Sequence, residues 1–212
     1  EASFEYTTLQ EKTGKFKIFR HIPGDPQSIS SNSIYGLYLD EKEILWIGTM
    51  GGGLNKYNPK TGLFKTYTEE NGLPSNMIYC ILADKLGNLW MSTNNGISKF
   101  NIATETFVNY DIRDGVQSSE FNQNAALLSS SGEMFFGGID GFNSFYPKNI
   151  VQNKFIPPIV ITTFKVFNNI QKRELLNNDT IILPYFQNFF WFEFSSLDYS
   201  NPYKNKYAYK IG

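Results

Sequence analysis

The chain has 212 residues, of which 41% are hydrophobic and 17% aromatic, and its net charge is −1. Lysines and arginines never run longer than two, so the electrostatic footprint of a nucleic-acid binder is missing. No stretch approaches 18 apolar residues, so no membrane insertion is expected of this segment.

High aromatic content with 17 glycines fits an all-β chain of short strands and tight turns. The single Cys80 excludes an internal disulfide and a cysteine-based zinc site. It sits in the apolar strand Ile78–Leu82 and reads as a small buried hydrophobe. His21 is the one histidine, in a polar loop, which leaves no transition-metal site and little scope for a serine-type triad. No cofactor is expected. The chain does not begin with Met and reads as an excised piece of something longer.

Taken in chain order, residues 1–31 hold the tail of a repeat. Gly14, Phe16 and Phe19 match Gly62, Phe64 and Tyr67 at an offset of 48. The first full copy predicts four strands: Ile34–Leu39, Ile44–Thr49, Leu54–Asn58 and Phe64–Thr68. Asp40-Glu-Lys-Glu, the glycine run Gly51–Gly53 and Pro59-Lys-Thr-Gly62 make the turns between them. The second copy follows at an offset of 44 for Asn32/Asn76, Asp40/Asp84, Trp46/Trp90 and Thr49/Thr93. The offset drops to 43 for Tyr57/Phe100, Phe64/Phe107 and Tyr67/Tyr110. A third, weaker copy aligns Gly132–Gly138 with Gly87–Thr93 at an offset of 45, with Phe135 in the place of tryptophan. It reaches Tyr146-Pro147 without an obvious outer strand. A fixed period in the low forties, with β-type residues between Gly/Asn turns, predicts propeller blades.

After Pro147 the pattern changes. Strands are expected at Ile159–Phe167, Thr180–Leu183, Asn188–Ser195 and Tyr203–Ile211, with Phe190, Phe192 and Phe194 on one face of the third. This spacing suggests an antiparallel sandwich of immunoglobulin type, cut off before its usual strand number. The fold class predicted is therefore all-β: about three and a half four-stranded blades in residues 1–154, then an incomplete Ig-like β-sandwich in 155–212. An open ring exposes blade faces, so self-association, most simply as a homodimer, is expected.

Residues that recur with the blade are read as architecture. Trp46 and Trp90 could stack on sugar rings and Asp40 and Asp84 could act as paired carboxylates, but all four repeat with the fold. The glycine runs lack the Lys-Ser/Thr and helix of a phosphate loop. Ligand contacts are sought where the repeat breaks, in the loops entering the innermost strands: Ser30–Ser33, Pro74–Asn76 and Ser118–Asn124. The third differs most. Glu120, Asn122, Gln123 and Asn124 offer polar groups and Phe121 a stacking face, a mixture suited to carbohydrate. No catalytic or metal-ligating residue is assigned.

The repeat Asn-x-Ile…Asp…Leu-Trp-Ile-Gly-Thr…Gly-Gly-Leu…Tyr resembles the two-component regulator propeller repeat. Residues 192–211, Phe-Glu-Phe-Ser-Ser-Leu-Asp-Tyr-Ser-Asn-Pro-Tyr-Lys-Asn-Lys-Tyr-Ala-Tyr-Lys-Ile, resemble the tyrosine-rich sandwich that follows such propellers. The resemblance implies the periplasmic sensor of a Bacteroides-type hybrid histidine kinase, anchored in the inner membrane beyond this segment. It implies an oligosaccharide ligand for the intact ectodomain and a relay through the sandwich to the kinase. No enzyme activity is then expected of this segment itself. A propeller carbohydrate-active enzyme and a protein-binding scaffold are the alternatives.

Overall fold

The computed structural model describes residues 7–10, 15–150, 158–167, 169–175, 181–197 and 207. The chain divides into two compact units, Glu1–Val151 and Gln152–Gly212. Each is built from antiparallel strands, and the first also carries three short 3-10 segments.

The first unit is a partial β-propeller. It opens with a hairpin of β1 (Thr7–Gln10) and β2 (Lys15–Ile18). Blade I contains β3 (Ile34–Leu39), β4 (Leu45–Thr49), β5 (Leu54–Asn58) and β6 (Leu63–Tyr67), paired in chain order. Blade II repeats this with β7 (Ile78–Ala83), β8 (Asn88–Thr93), β9 (Gly96–Asn101) and β10 (Thr106–Tyr110). Blade III has three strands among the described residues: β11 (Phe121–Leu128), β12 (Met134–Gly138) and β13 (Gly141–Phe145). The sequence periodicity places the strands of blades I and II to within a residue or two, because each hairpin turn carries its own chemistry. Gly62 and Gly87, for example, sit at φ 74° and 80°, where a side chain would be strained.

The core lies between blades. One cluster joins Trp46, Leu54 and Tyr67 of blade I to Ile78, Ile81, Leu89, Met91 and Phe100 of blade II. The next joins Trp90 and Ile97 to Phe121, Met134 and Phe136 of blade III. Trp46 and Trp90 are 0% and 1% exposed. Their rings repeat the same contacts. Trp46 lies 5.5 Å from Phe100 and 6.3 Å from Tyr67, while Trp90 lies 4.9 Å from Phe145 and 5.7 Å from Tyr110. The preceding cluster, with Phe19 edge-on to Tyr57 at 4.8 Å, is the same joint one blade earlier. The hairpin β1–β2 thus stands where the outer strands of a preceding blade belong.

Asp40 and Asp84 tie the hairpin turn to this core. One carboxylate oxygen of Asp40 accepts from the Lys42 and Ile44 amides, and the other accepts from the Trp46 indole at 3.0 Å. Asp84 does the same for Leu86, Asn88 and Trp90. These are structural carboxylates with their lone pairs engaged. In blade III the pair changes together: Ser129 replaces the aspartate, its hydroxyl accepting from the Glu133 amide, and Phe135 replaces the tryptophan. Without an indole N–H, the turn has no second donor to satisfy.

The second unit is one three-stranded antiparallel sheet among the described residues, with β14 (Ile159–Val166) between β15 (Asn169–Leu175) and β16 (Phe190–Ser196). Two expectations are corrected. Ile181–Leu183 is not a strand; Pro184 follows it, and its carbonyl closes a turn onto Gln187. The second strand is instead the polar run Asn169–Leu175, which was not anticipated. As an edge strand it takes its register from β14 and needs no apolar alternation of its own. The expected strand Tyr203–Ile211 lies outside the described residues except for Tyr207, whose ring packs on Phe194. The alternation of β16 is as read: Phe190 and Phe192 face Phe164, and Phe189 meets Trp191.

Two consequences follow for stability. Asp84→Ser and Trp90→Phe should each destabilise the unit by about 1–3 kcal/mol, through an unsatisfied buried partner and lost packing. Together they copy blade III, so the double variant should cost less than the sum. Urea denaturation of the four proteins measures this, and strict additivity would refute the coupling. A second test concerns Glu105, whose carboxylate reaches from blade II to Lys65 and Lys56 of blade I. The Lys65 hydrogen bond holds the Glu105 carboxyl below its ordinary 4.5. A depressed folded-state value stabilises above the unfolded value and is lost as pH falls through the folded one. Glu105→Gln should therefore cost at most about 1 kcal/mol at neutral pH. The difference from wild type should vanish in acid, as followed by denaturant midpoints across pH.

Candidate functional site

The innermost strand of every blade breaks its ladder at the same level. In β3 the register slips between Ile34 and Gly36, leaving Tyr35 as the extra residue. In β7 it slips between Ile78 and Cys80, leaving Tyr79. Such bulges re-aim a side chain that would otherwise alternate into the sheet. The two tyrosine rings lie nearly parallel, with centroids 6.0 Å apart and planes at 13°. The Tyr35 hydroxyl points to the Met50 sulfur at 3.1 Å.

Blade III departs from this pattern. Phe121 pairs with Gly138, as Ile34 pairs with Thr49 and Ile78 with Thr93, so Asn122 stands where the other blades carry tyrosine. The next pair is Ala126 with Phe136, so residues 122–125 bulge opposite Gly137 alone. Asn124 takes φ 59°, the left-handed region that asparagine tolerates better than most side chains. The side chains of Asn122, Gln123 and Asn124 are exposed, as is Glu120 just before them. Burial raises the Tyr79 hydroxyl above its ordinary value, with Glu120 and then Tyr35 adding to the shift. A shallow cavity of about 200 Å³ runs along the tyrosine row, lined by Tyr35, Tyr79, Cys80, Asn124 and Ala126 among others.

The sequence-predicted residues are thus partly brought together. Glu120, Asn122, Gln123 and Asn124 share the exposed head of β11. Phe121 does not join them. It is 2% exposed and lies edge-on to Phe136 at 6.4 Å, so it offers no stacking face. The expected loop Ser118–Asn124 is also shorter than read, because β11 starts at Phe121. The aromatic faces come instead from Tyr35 and Tyr79. Sequence reasoning passed over them because they recur with the blade. The signal lay in the loss of that tyrosine in the third copy alone.

Cys80 lies beneath the bulge, its thiol 3.9 Å from the Asn122 carbonyl. Burial pushes the thiol up, only partly offset by the polar groups around it, the Ser92 hydroxyl and the Asn124 and Ala125 backbone. It stays protonated and is a poor nucleophile. His21 is held by its amide to Asn32 and its ring to the Ile29 carbonyl, in an exposed loop. Among the described residues no group of three His, Cys, Asp or Glu side chains could hold a metal ion, and no helix is long and apolar enough to cross a membrane. The row can stack on a flat apolar face and hydrogen-bond neutral polar groups around it. Glu120, exposed just before β11, is the nearby carboxylate that contributes to the Tyr79 shift.

Residues 28–51 and 72–95 match the two-component regulator propeller. These two segments are repeats of that kind. They cover the entry loops and the first two strands of blades I and II, including both bulge tyrosines and both Asp–Trp pairs. Histidine kinase P4 of Formosa agariphila is 30% identical over 196 residues, an alignment spanning 88% of this chain and 14% of the kinase. The chain thus corresponds to a small part of that relative's length. Among solved structures, an extracellular domain assigned to a hybrid two-component system of B. thetaiotaomicron is 24% identical, covers 90% of this chain and 32% of its own, and has a TM-score of 0.49. Virginiamycin B lyase from Staphylococcus aureus is 15% identical, covers 74% and 50%, and has a TM-score of 0.50. The latter likeness concerns the fold.

The bulge of β11 can be tested by itself. Asn124→Ala should destabilise the unit by about 1 kcal/mol, because alanine resists the left-handed region, whereas Asn124→Gly should be near neutral. Thermal melts of the two variants measure this, and equal melting temperatures would refute the assigned geometry.

Proposed function

We propose that this chain is part of the extracytoplasmic sensor region of a hybrid two-component histidine kinase, located in the periplasm of a Bacteroides-type bacterium. The observation that carries the reading is the coincidence of two-component regulator propeller repeats with an alignment to a histidine kinase over 88% of the chain. The segment's role is to bind and transmit rather than to catalyse. Its sheet unit, which follows the propeller directly, is the candidate relay toward a membrane-spanning segment and kinase elsewhere in the parent. A ligand shifts such a device only by differing in affinity between two states of the receptor.

The ligand is proposed to be an oligosaccharide held along the bulge row. Tyr35 and Tyr79 supply faces for the apolar side of a pyranose, and the free amides of Asn122, Gln123 and Asn124 supply donors and acceptors for hydroxyls. Titration of the intact ectodomain with a panel of glycan fragments by calorimetry tests this. Tyr79→Ala should weaken the best binder by about tenfold, the equivalent of ~1.4 kcal/mol, and Asn122→Ala should weaken it in the same direction. Binding unaffected by either variant would place the ligand elsewhere. Turnover of the glycan would replace the sensor reading with an enzyme, and failure of every glycan with firm protein binding would favour a scaffold.

A further inference from the structure

The rim of blade I carries a nucleophilic sulfur beside the first tyrosine of the row. Met50 directly follows β4. Its amide donates to the Ser33 carbonyl at 2.9 Å, and its own carbonyl accepts from the Ser31 hydroxyl at 3.2 Å, so the entry loop of the blade holds its backbone. The Tyr35 hydroxyl donates to its sulfur at 3.1 Å. Met50 is 46% exposed, whereas Met91 and Met134 are fully buried at the blade joints and Met77 is half-buried. The other two blades carry Asn94 and Ile139 at this place in the repeat, so the pair of tyrosine and thioether belongs to blade I alone.

We propose that Met50 is an oxidation site of defined stereochemistry, which takes its oxygen from a peroxide. A thioether sulfur has two lone pairs. The Tyr35 hydroxyl engages one, and the other is left for the oxidant. That lone pair attacks one peroxide oxygen, and the S–O bond forms as the O–O bond breaks. The sulfur is oxidised by two electrons. The second peroxide oxygen is reduced and leaves as water, taking the proton of the transferred oxygen. Because one side of the sulfur is covered, one sulfoxide epimer predominates. A methionine that turns freely offers both lone pairs and gives the two epimers in comparable amounts. The product sets a polar, chiral group beside Tyr35, and each epimer is restored by its own reductase. On the sensor reading, the oxidation state of Met50 then becomes an input to the ligand row. The modification itself does not depend on what the row binds.

The test treats the 212-residue chain with hydrogen peroxide, digests it, and maps the sulfoxides by mass spectrometry. Met50 should react first, about tenfold or more ahead of the buried Met91 and Met134, because susceptibility follows exposure. The Met50 sulfoxide peptide is then divided between the two stereospecific methionine sulfoxide reductases. One should restore about fivefold more of it than the other, the bias that one hydrogen bond can impose. Tyr35→Phe, which removes only the hydroxyl, should bring the two reductases close to parity. Equal epimers from the unaltered chain, an unchanged bias in Tyr35→Phe, or Met77 reacting ahead of Met50 overturns the proposal. Glycan binding enters none of these readouts, so this proposal and the oligosaccharide reading fail separately.

Discussion

Everything in the propeller depends on one constraint: a four-stranded blade cannot bury its own aromatic face. The tryptophan of each complete blade packs on an aromatic ring of the next blade as well as on its own outer strand, and the phenylalanine of each outer strand also reaches a ring that precedes its blade. Stability is therefore shared between neighbours and cannot be assigned to single blades. The Asp–Trp hydrogen bond follows from the same constraint. An indole buried at the joint needs a partner for its N–H, and the hairpin turn beside it supplies a carboxylate that is also satisfied by backbone amides.

Blade III shows what happens when the pattern is relaxed. Tryptophan and aspartate are replaced together, the inner-strand tyrosine becomes asparagine, the bulge lengthens to four residues, and the outer strand is absent among the described residues. These changes lie in one blade, but at opposite ends of it. The inner change opens a polar, hydrogen-bonding patch beside two stacked tyrosines. The outer change leaves an apolar cavity beside β13, the last strand of the blade among the described residues.

The second unit obeys a different rule. Its sheet is centred on β14, whose Phe164 and Val166 are buried, while the aromatic residues of β16 are half exposed among the described residues.

How much was legible in the sequence follows from where the information is local. The repeat offsets, the hairpin turns and the alternation of β16 are set by neighbouring residues, so the strands of blades I and II and their structural Asp and Trp could be read directly. The polar strand β15 could not, because an edge strand borrows its register from a partner distant in sequence. The site was half legible. The break in the repeat pointed to Glu120–Asn124, since loss of a recurring residue is a local signal. That Phe121 turns inward while Tyr35 and Tyr79 line up beside Asn122 was decided only by tertiary structure. A bulge shifts which face a residue takes, and it exists only in the pairing of two strands.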